Sequence, residues 1–369
     1  MRKILNYIIL IIILLSILVC SNTLAVSALD NTIISGYAEM DKPDPNELTI
    51  YSDCILIMEK ETKQVLYEKN CMKKMYPAST TKILTAILIL EKCNLSDIVT
   101  VNQSAISAVP ATYTTAKLQA GEQFTVEQLL YTMIIPSAND AANVLAEHIS
   151  GSISNFAVLM NEKAKEIGCY HSNFTNPSGV HDENLYTTAY DLALIARYAM
   201  DIELFRQIVT TTKYSLPNTD LYTKDVRSFT ISNAMVNSDY KDYYYEYATG
   251  IKTGFTNPAK DCLVASAKKD DVEFIAVVLG SDQLENGLRK KYLDCKTLFD
   301  FAFDNYISHY KELQEKNSKK FNFKFFNMID VDSSDYHMDS FTFKALSLGI
   351  AFAFIFFAFV LIFTRRKDD

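Results

Sequence analysis

The sequence predicts an α+β fold in which one antiparallel sheet is flanked by helices and lies beside a helical lobe. Two observations predict it: strand-like segments occur near both ends of the central region, and a long helical stretch, from about residue 81 to residue 200, separates them. Strands so distant in sequence form one sheet only when the chain returns to pair its ends, with the helices packed against the sheet. A chain of 369 residues, of which 49% are apolar, can bury such a core.

The helical stretch begins near Ser79 and Lys82, which stand three positions apart in P-A-S-T-T-K-I-L-T-A. Residues at i and i+3 share one face of a helix, so the lysine amine can lie beside the serine hydroxyl. A serine needs a neighbouring base to become a nucleophile, and a desolvated lysine near other cations can be that base. The helix is apolar nearly all round and is expected to be buried. The alternative is that Ser79 only caps the helix and that Lys82 is solvated.

A second candidate site is S-A-N, in which Ser137 and Asn139 connect two amphipathic helical patterns. Thr125 and Gln128 predict a capping box at the start of the first helix. A hydroxyl in the connection can relay a proton to a leaving amine, and the Asn139 amide can hold a substrate carbonyl. The alternative is that Ser137 simply caps the second helix.

A third candidate site is K-T-G, formed by Lys252, Thr253 and Gly254 within a predicted strand at 251–256. An ammonium and a hydroxyl on one strand suit a carboxylate, and a glycine there leaves room for a ligand against the backbone. Lys252 would also supply a positive charge that favours a neutral Lys82. The alternative is an exposed lysine on an edge strand.

The three motifs occur in the order S-x-x-K, S-x-N, K-T-G, with tens of residues between them. S-x-x-K occurs four times in the chain, whereas S-x-N and K-T-G occur once each, so the ordered set is far more specific than its parts. It resembles the motif set of the D-alanyl-D-alanine carboxypeptidases, the low-molecular-mass penicillin-binding proteins. The resemblance implies an antiparallel sheet and helical lobe of the β-lactamase/transpeptidase-like kind.

The same resemblance implies the roles of the site residues. The implied catalytic residues are Ser79 as the acylated nucleophile, Lys82 as its general base and Ser137 of the second motif. The implied substrate-binding residues are Asn139, Lys252, Thr253 and Gly254. The implied reaction removes the terminal D-alanine of a peptidoglycan stem pentapeptide through an acyl-enzyme that water hydrolyses. β-Lactams would acylate the same serine as substrate mimics.

The resemblance covers roughly residues 50 to 306. Residues 55–70 are similar to the family's opening hairpin, 174–196 to its middle segment and 262–280 to its closing hairpin. Two departures lie near the expected cleft. Phe255 stands where some members carry histidine, and N-P-A-K follows two residues later where Ala-Gly is usual. The first concerns substrate preference, and neither touches the catalytic roles.

Composition excludes several classes of function. The net charge is −8 and no basic stripe appears, so no nucleic-acid partner is expected. There is no glycine-rich phosphate loop, and the five histidines show no metal-ligand spacing, so neither a cofactor nor a metal is expected. One of them, His181, is expected in a solvated loop, with a place along the cleft as the alternative.

Further expectations concern cysteines, tyrosines and the last helix. Six of the seven cysteines lie after residue 50, and buried free thiols are favoured over disulfides in an oxidising compartment. Five tyrosines between residues 240 and 247 are expected to pack an exposed hairpin, with a flank of the substrate groove as the alternative. A closing helix is expected over 286–306. Its predicted buried residues are Leu288, Cys295, Leu298, Phe299 and Ala302.

Both ends of the chain predict a location outside the cytoplasm. Basic residues, an apolar run and small residues at the start indicate a signal peptide. A 19-residue apolar run near the other end, followed by a basic cluster, predicts a membrane helix with a cytoplasmic tail. The expected organisation is a signal peptide (1–28), a flexible lead-in (29–49), the catalytic domain (50–306), a stalk (307–344), a transmembrane helix (345–363) and a tail (364–369). The protein would be a single-pass protein of the cell membrane with its catalytic domain outside.

Two other functions compete with the carboxypeptidase. A serine β-lactamase of class A needs a glutamate in the middle loop, and no E-x-x-L-N stands between Ser137 and Lys252. The second alternative is not an enzyme: a membrane-bound β-lactam sensor or an inactive penicillin-binding scaffold. A sensor would need a cytoplasmic output domain, which the expected organisation does not include.

Overall fold

The structure is a computed structural model that describes residues 48–282, 284 and 287–320. The chain divides into two compact units, Met1–Lys311 and Glu312–Asp369. The sheet, the helical lobe and the cleft belong to the first unit.

Strands come from both ends of the described chain and helices from its middle, which confirms the predicted α+β class. The strands are β1 (Cys54–Glu59), β2 (Val65–Lys69), β3 (Ile98–Thr100), β4 (Gln123–Thr125), β5 (Lys213–Leu216), β6 (Arg227–Thr230), β7 (Ala248–Thr256), β8 (Lys260–Lys269) and β9 (Val272–Ser281). The helices are α1 (Lys82–Lys92), α2 (Gln103–Ser107), α3 (Val126–Ile134), α4 (Asn139–Ser150), α5 (Ile153–Ile167), α6 (Ala189–Ala199), α7 (Glu203–Thr210) and α8 (Lys290–Lys320).

The main sheet is antiparallel and has the strand order β2-β1-β9-β8-β7. Val277 of β9 lies opposite Leu56 of β1 on one side and Val264 of β8 on the other. Every residue of β1 and β9 is buried, which requires cover on both faces of the sheet. Helix α6 packs against β1 and β9, and Phe303 of α8 makes an edge contact with Phe274, with ring centroids 5.0 Å apart. The order places β7 at an edge, where it borders the cleft.

Helix α1 is the centre of the helical lobe. Each of its residues from Lys82 to Ile89 is buried, as its all-round apolar sequence predicts. It packs against α3, α4, α5 and α6. The predicted capping box of α3 is also confirmed: Gln128 N–H donates to the Thr125 hydroxyl (3.1 Å), and Thr125 N–H donates to the Gln128 side chain (2.9 Å).

Most predicted elements are confirmed, and the differences are local. The predicted hairpins are β1–β2 and β8–β9, and the predicted K-T-G strand is β7. The closing helix begins at Lys290 and continues to Lys320, whereas the sequence predicted an end near Tyr306. Its predicted buried residues are buried except Leu288, which precedes the helix and is half-buried. The tyrosine-rich segment forms turns rather than the expected hairpin.

The predictions about the two ends of the chain fall almost wholly outside the described residues. These are the signal peptide, most of the lead-in, the stalk beyond residue 320, the transmembrane helix and the tail, and they stay predictions. Within the described ranges, no helix has both the length and the apolar character needed to cross a membrane. The six cysteines of the described part of the chain are free thiols, and four of them are buried.

Candidate active site

The nucleophile candidate lies in a tight turn that leads into α1. Ser79 belongs to a 3₁₀ turn, Ala78–Thr81, and Lys82 is the first residue of the helix. The Thr80 N–H and hydroxyl both donate to the Pro77 carbonyl, at 3.3 and 2.7 Å, and close the turn. This geometry brings the Lys82 Nζ to 3.0 Å from the Ser79 Oγ.

The environment of Lys82 suits a proton acceptor. The side chain is fully buried, and burial first, then the Lys252 cation, hold the pKa of Lys82 well below its usual range. Its Nζ lies 2.7 Å from the Asn139 Oδ1 and 2.5 Å from the Ser178 carbonyl oxygen. A neutral amine has two hydrogens and one lone pair. The two carbonyl oxygens take the hydrogens, so the lone pair remains to accept a hydrogen bond from the Ser79 hydroxyl.

Two glycines allow the backbone of other segments to approach this turn. Gly179 has a φ of +80°, and a Cβ there would lie 1.9 Å from the Ala78 carbonyl oxygen. Gly179 follows Ser178 in the chain, so this close approach explains how the Ser178 carbonyl reaches the Lys82 amine. A Cβ on Gly254 of β7 would lie 3.0 Å from the Ser79 nitrogen. The glycine of K-T-G therefore lets the edge strand pass directly beside the backbone N–H of the nucleophile.

The S-A-N connection links the helical lobe to the cleft. Ser137 adopts a left-handed conformation (φ +66°), and its hydroxyl has no hydrogen-bond partner within the described ranges. Asn139 begins α4, and both its N–H and its Nδ2 donate to the Thr114 carbonyl, each at 2.9 Å. The Asn139 amide is thus engaged with Thr114 and Lys82, which leaves one Nδ2 hydrogen for the substrate carbonyl that the sequence predicts.

The buried carboxyl of Asp140 fixes the loop that faces this connection. It accepts hydrogen bonds from the N–H groups of Ala116 (2.9 Å) and Leu118 (3.1 Å). Burial raises the pKa of Asp140 in spite of these donors. The loop therefore holds Thr112, Tyr113 and Thr114 along the cleft.

Lys252 of β7 is almost fully buried. Its Nζ donates to the Ser232 hydroxyl (3.2 Å) and to the Thr253 carbonyl (3.1 Å). Burial first, and then the Lys291 cation, lower the pKa of Lys252 to about 7. The Thr253 hydroxyl also donates to Ser232, at 2.8 Å. K-T-G thus presents an ammonium and a hydroxyl that converge on one serine.

Five of the seven predicted site residues line one cavity of about 640 Å³, and the two lysines are hydrogen-bonded to residues that line it. Its lining includes Ser79, Ser137, Asn139, Thr253 and Gly254, while Lys82 and Lys252 are buried behind it. The three motifs, which lie far apart in the sequence, therefore form a single site between β7 and the helical lobe.

Several cavity residues were not found from the sequence. At one end the Asp261 carboxylate accepts hydrogen bonds from the Arg289 Nη1 (3.0 Å) and from the Lys291 Nζ (2.7 Å). Two cations against one carboxylate leave this end positive. Ser232 and Tyr292 also line the cavity. None of these residues belongs to a motif, and their proximity depends on how β8, α8 and the segment after β6 pack.

Two expectations, one about His181 and one about the tyrosine-rich segment, need correction. His181 is half-buried rather than solvated: its ring makes an edge contact with Tyr76, with centroids 4.7 Å apart, and its Nδ1 is buried without a hydrogen-bond partner among the described residues. Tyr240 and Tyr243 line the cavity instead of packing a hairpin. The Tyr243 ring packs at a tilt against the Tyr292 ring, with centroids 4.6 Å apart, and this contact with α8 explains its position.

An antiparallel sheet and a helical lobe, with S-x-x-K, S-x-N and K-T-G around one cavity, define a serine peptidase of the penicillin-binding class. The family model for D-alanyl-D-alanine carboxypeptidases, peptidase family S11, matches residues 39–283. The chain belongs to this family, and it is therefore an enzyme, a serine-type carboxypeptidase.

Individual relatives agree with this assignment. The chain is 35% identical over 281 residues to the D-alanyl-D-alanine carboxypeptidase DacF of Bacillus subtilis. The aligned region covers 74% of this chain and 68% of that protein. It is 28% identical over 264 residues to DacA of Haemophilus influenzae, covering 70% of this chain and 63% of that protein. Among solved structures, the Streptomyces K15 DD-transpeptidase superposes with a TM-score of 0.62 at 29% identity, covering 70% of this chain and 98% of that one.

Proposed function

We propose that this chain removes the terminal D-alanine from peptidoglycan stem pentapeptides by way of an acyl-enzyme on Ser79. The observation that carries the proposal is the buried Lys82 amine, 3.0 Å from the hydroxyl of Ser79, which lines the same cavity as Thr253 and Gly254 of K-T-G. Family membership supports the reaction, and the geometry supports the roles.

In the first step, the neutral Lys82 amine accepts the Ser79 hydroxyl proton while the oxygen attacks the carbonyl of the penultimate D-alanine. The Ser79 N–H stabilises the negative oxygen that forms. The C–N bond then breaks, and the leaving amine receives a proton from Lys82 through the Ser137 hydroxyl. Water later attacks the ester, with Lys82 again as the base, and releases Ser79. β-Lactams carry a strained amide and a carboxylate, so they enter the first step as substrate mimics.

Recognition of the substrate is electrostatic at the K-T-G end. The leaving D-alanine carries a free carboxylate. Lys252 and the positive end of the cavity provide the opposite charge, and Lys252 and Thr253 provide hydrogen bonds. Asn139 offers its remaining Nδ2 hydrogen to the substrate backbone. Because the acceptor sites on Asp261 are taken by Arg289 and Lys291, that carboxylate does not oppose the substrate's charge.

We further propose that the catalytic domain acts outside the cell membrane. The support comes from sequence: a predicted signal peptide at 1–28 and an apolar run at 345–363 with basic residues after it. Peptidoglycan lies on that side of the membrane. Protease treatment of intact spheroplasts checks this: the catalytic domain should be digested, and its protection would contradict the proposed location.

The proposed function is tested with the full chain, diacetyl-Lys-D-Ala-D-Ala and penicillin. The wild-type protein should release D-alanine and gain one penicilloyl group on the peptide that contains Ser79, as seen by mass spectrometry. Ser79→Ala should lose both activities. Labelling of the Ser79→Ala variant would place the nucleophile elsewhere. A penicilloyl-enzyme that turns over rapidly, rather than persisting for minutes or longer, would favour a β-lactamase.

A further inference from the structure

Two tyrosines of the tyrosine-rich segment, 240–247, are exposed at the edge of the cavity. Tyr240 lines the cavity and is 43% exposed, and Tyr244 is 40% exposed. The Tyr244 N–H donates to the Tyr240 carbonyl (2.8 Å), so one helical turn joins the two residues. Residues at i and i+4 share one side of such a turn. The two rings therefore form a single exposed surface that begins at the cavity, called here the tyrosine platform (Tyr240 and Tyr244).

The other three tyrosines of the segment fix it against α8. Each packs its ring on an aromatic ring of that helix, with centroids 4.6, 5.6 and 5.7 Å apart in the pairs Tyr243–Tyr292, Tyr245–Phe299 and Tyr247–Phe303. The Tyr243 hydroxyl also accepts a hydrogen bond from the Arg289 N–H, at 3.1 Å. Because the segment is held in this way, the tyrosine platform is in place before a ligand arrives, and less entropy is lost on binding.

The chemistry of the tyrosine platform suits an uncharged ligand that has both apolar and polar groups. The ring faces are apolar and carry weak negative charge, and among the described residues the Tyr240 and Tyr244 hydroxyls have no hydrogen-bond partner. The charged side chains around them, Asp239, Lys241 and Asp242, are of mixed sign, so the surface selects neither an anion nor a cation. A sugar ring meets these conditions: its C–H groups pack on an aromatic face, and its hydroxyl and acetamido groups bond to a phenol.

We propose that the tyrosine platform binds the N-acetylated sugar rings of the glycan strand that carries the stem peptide. This inference rests on the proposed function and extends the substrate beyond the peptide. The stem peptide is joined to the glycan by an amide, which leaves the attached sugar uncharged. The stem residues before the scissile bond span at most about 14 Å when extended, so a peptide in the cavity keeps its sugars near the cavity's edge. Each aromatic ring should raise kcat/KM about two- to tenfold.

The test compares a disaccharide pentapeptide with the same pentapeptide without its sugars, using the full chain. The wild-type protein should have a kcat/KM at least about fivefold higher on the sugar-bearing substrate. In Tyr240→Ala and in Tyr244→Ala, the ratio of the two values should fall by about two- to tenfold. Tyr244→Phe keeps the ring and should keep most of the ratio. Tyr170→Ala removes a tyrosine that is 75% exposed and does not line the cavity, so it is the matched control and should keep the wild-type ratio.

Several outcomes would overturn the role of the tyrosine platform. These are equal kcat/KM values of the wild-type protein on the two substrates, and an equal loss on both substrates in Tyr244→Ala. A preference for the sugars that disappears at high salt would assign it to charged groups, because salt screens charges and leaves ring packing unchanged. A gain from a second, sugar-free stem peptide in place of the disaccharide would assign the surface to a peptide.

A direct binding measurement covers any variant that fails to fold, as its melting temperature would reveal. The Ser79→Ala chain, which cannot form an acyl-enzyme, should bind glycan strands from which the peptides have been removed, and absence of binding would overturn the proposal. A wild-type chain that releases no D-alanine from either pentapeptide would instead contradict the proposed function itself.

Discussion

The Asn139 Oδ1 lies 2.7 Å from the Lys82 Nζ, so a side chain of the second motif directly contacts the base of the first. An amide oxygen accepts a hydrogen bond without carrying a charge. It orients the lysine and leaves it free to lose its proton. A carboxylate at the same place would orient the lysine equally well and would favour its charged form.

Asn139→Asp should therefore inactivate the enzyme without changing its shape. The added carboxylate raises the pKa of Lys82, so the base is protonated at neutral pH, and acylation by penicillin should slow by at least about 100-fold. Activity should recover partly as the pH increases, because Lys82 then loses its proton. Stopped-flow acylation from pH 6 to 10 measures both effects. Asn155→Asp, an exposed change in α5, is the control, and a wild-type rate in Asn139→Asp would contradict the role of Lys82.

Gly179→Ala should disturb the nucleophile turn. The new Cβ would lie 1.9 Å from the Ala78 carbonyl oxygen and 2.9 Å from the Ser79 nitrogen, so the turn has to shift. We expect a clear loss of acylation rate together with a lower melting temperature. Gly151→Ala is a matched control, since Gly151 has a similar φ of +76° but nothing within 4 Å of the added Cβ. It should cost only the strain of a left-handed residue, about 1–2 kcal/mol, and leave acylation unchanged. Equal acylation rates in the two variants would contradict the close packing.

Lys291 should set the alkaline limit of activity. Lys252, with its pKa lowered to about 7, must be protonated to pair with the substrate carboxylate. The value of kcat/KM reports the free enzyme, so it should fall as the pH rises through about 7. Lys291→Met removes a neighbouring cation that lowers the pKa of Lys252, and the alkaline limb should move to higher pH. Lys296→Met, on the same helix but bonded to the Asp242 carbonyl, should leave the profile unchanged. A limb that stays in place in Lys291→Met would contradict the coupling.

Glu122 and Arg227 form a buried ion pair that anchors β6, the strand leading to Ser232. The shortest contact is 2.8 Å, and both side chains are almost inaccessible. Glu122→Gln leaves the guanidinium buried without its charge partner, and the free energy of unfolding should fall by about 3–5 kcal/mol. Urea unfolding measures the loss. Asp239→Asn breaks an exposed pair with Lys213 and should cost no more than about 1 kcal/mol. Similar losses in the two variants would contradict the special position of the buried pair.

The sequence predicts much of this site because its chemistry is carried by short motifs. The i, i+3 spacing places Ser79 beside Lys82, and the ordered set of motifs predicts correctly that Asn139 and the K-T-G strand lie at the same cavity. The strand and hairpin predictions succeed for a related reason: a short apolar run such as 54–58 is typical of a strand in a sheet covered on both faces, and it forms most of β1.

The rest depends on tertiary contacts that leave no local pattern. The Ser178 carbonyl that bonds to Lys82 is a backbone group, so residue type gives no sign of it. Ser232 and Arg289 reach the cavity from segments far from any motif. The tyrosine-rich segment was expected to pack an exposed hairpin, but the ring contact between Tyr243 and Tyr292 holds Tyr243 at the cavity instead.

The position of β9 between β1 and β8 has a consequence for the newly made protein. A chain still on the ribosome, with Val272–Ser281 not yet emerged, lacks the strand that joins the first hairpin to the K-T-G strand. Ser79 is made early but has no oriented Lys252 opposite it until that strand arrives. Chains that lack this strand should therefore neither cut peptides nor react with penicillin, and the antibiotic can capture only molecules in which β9 is already in place.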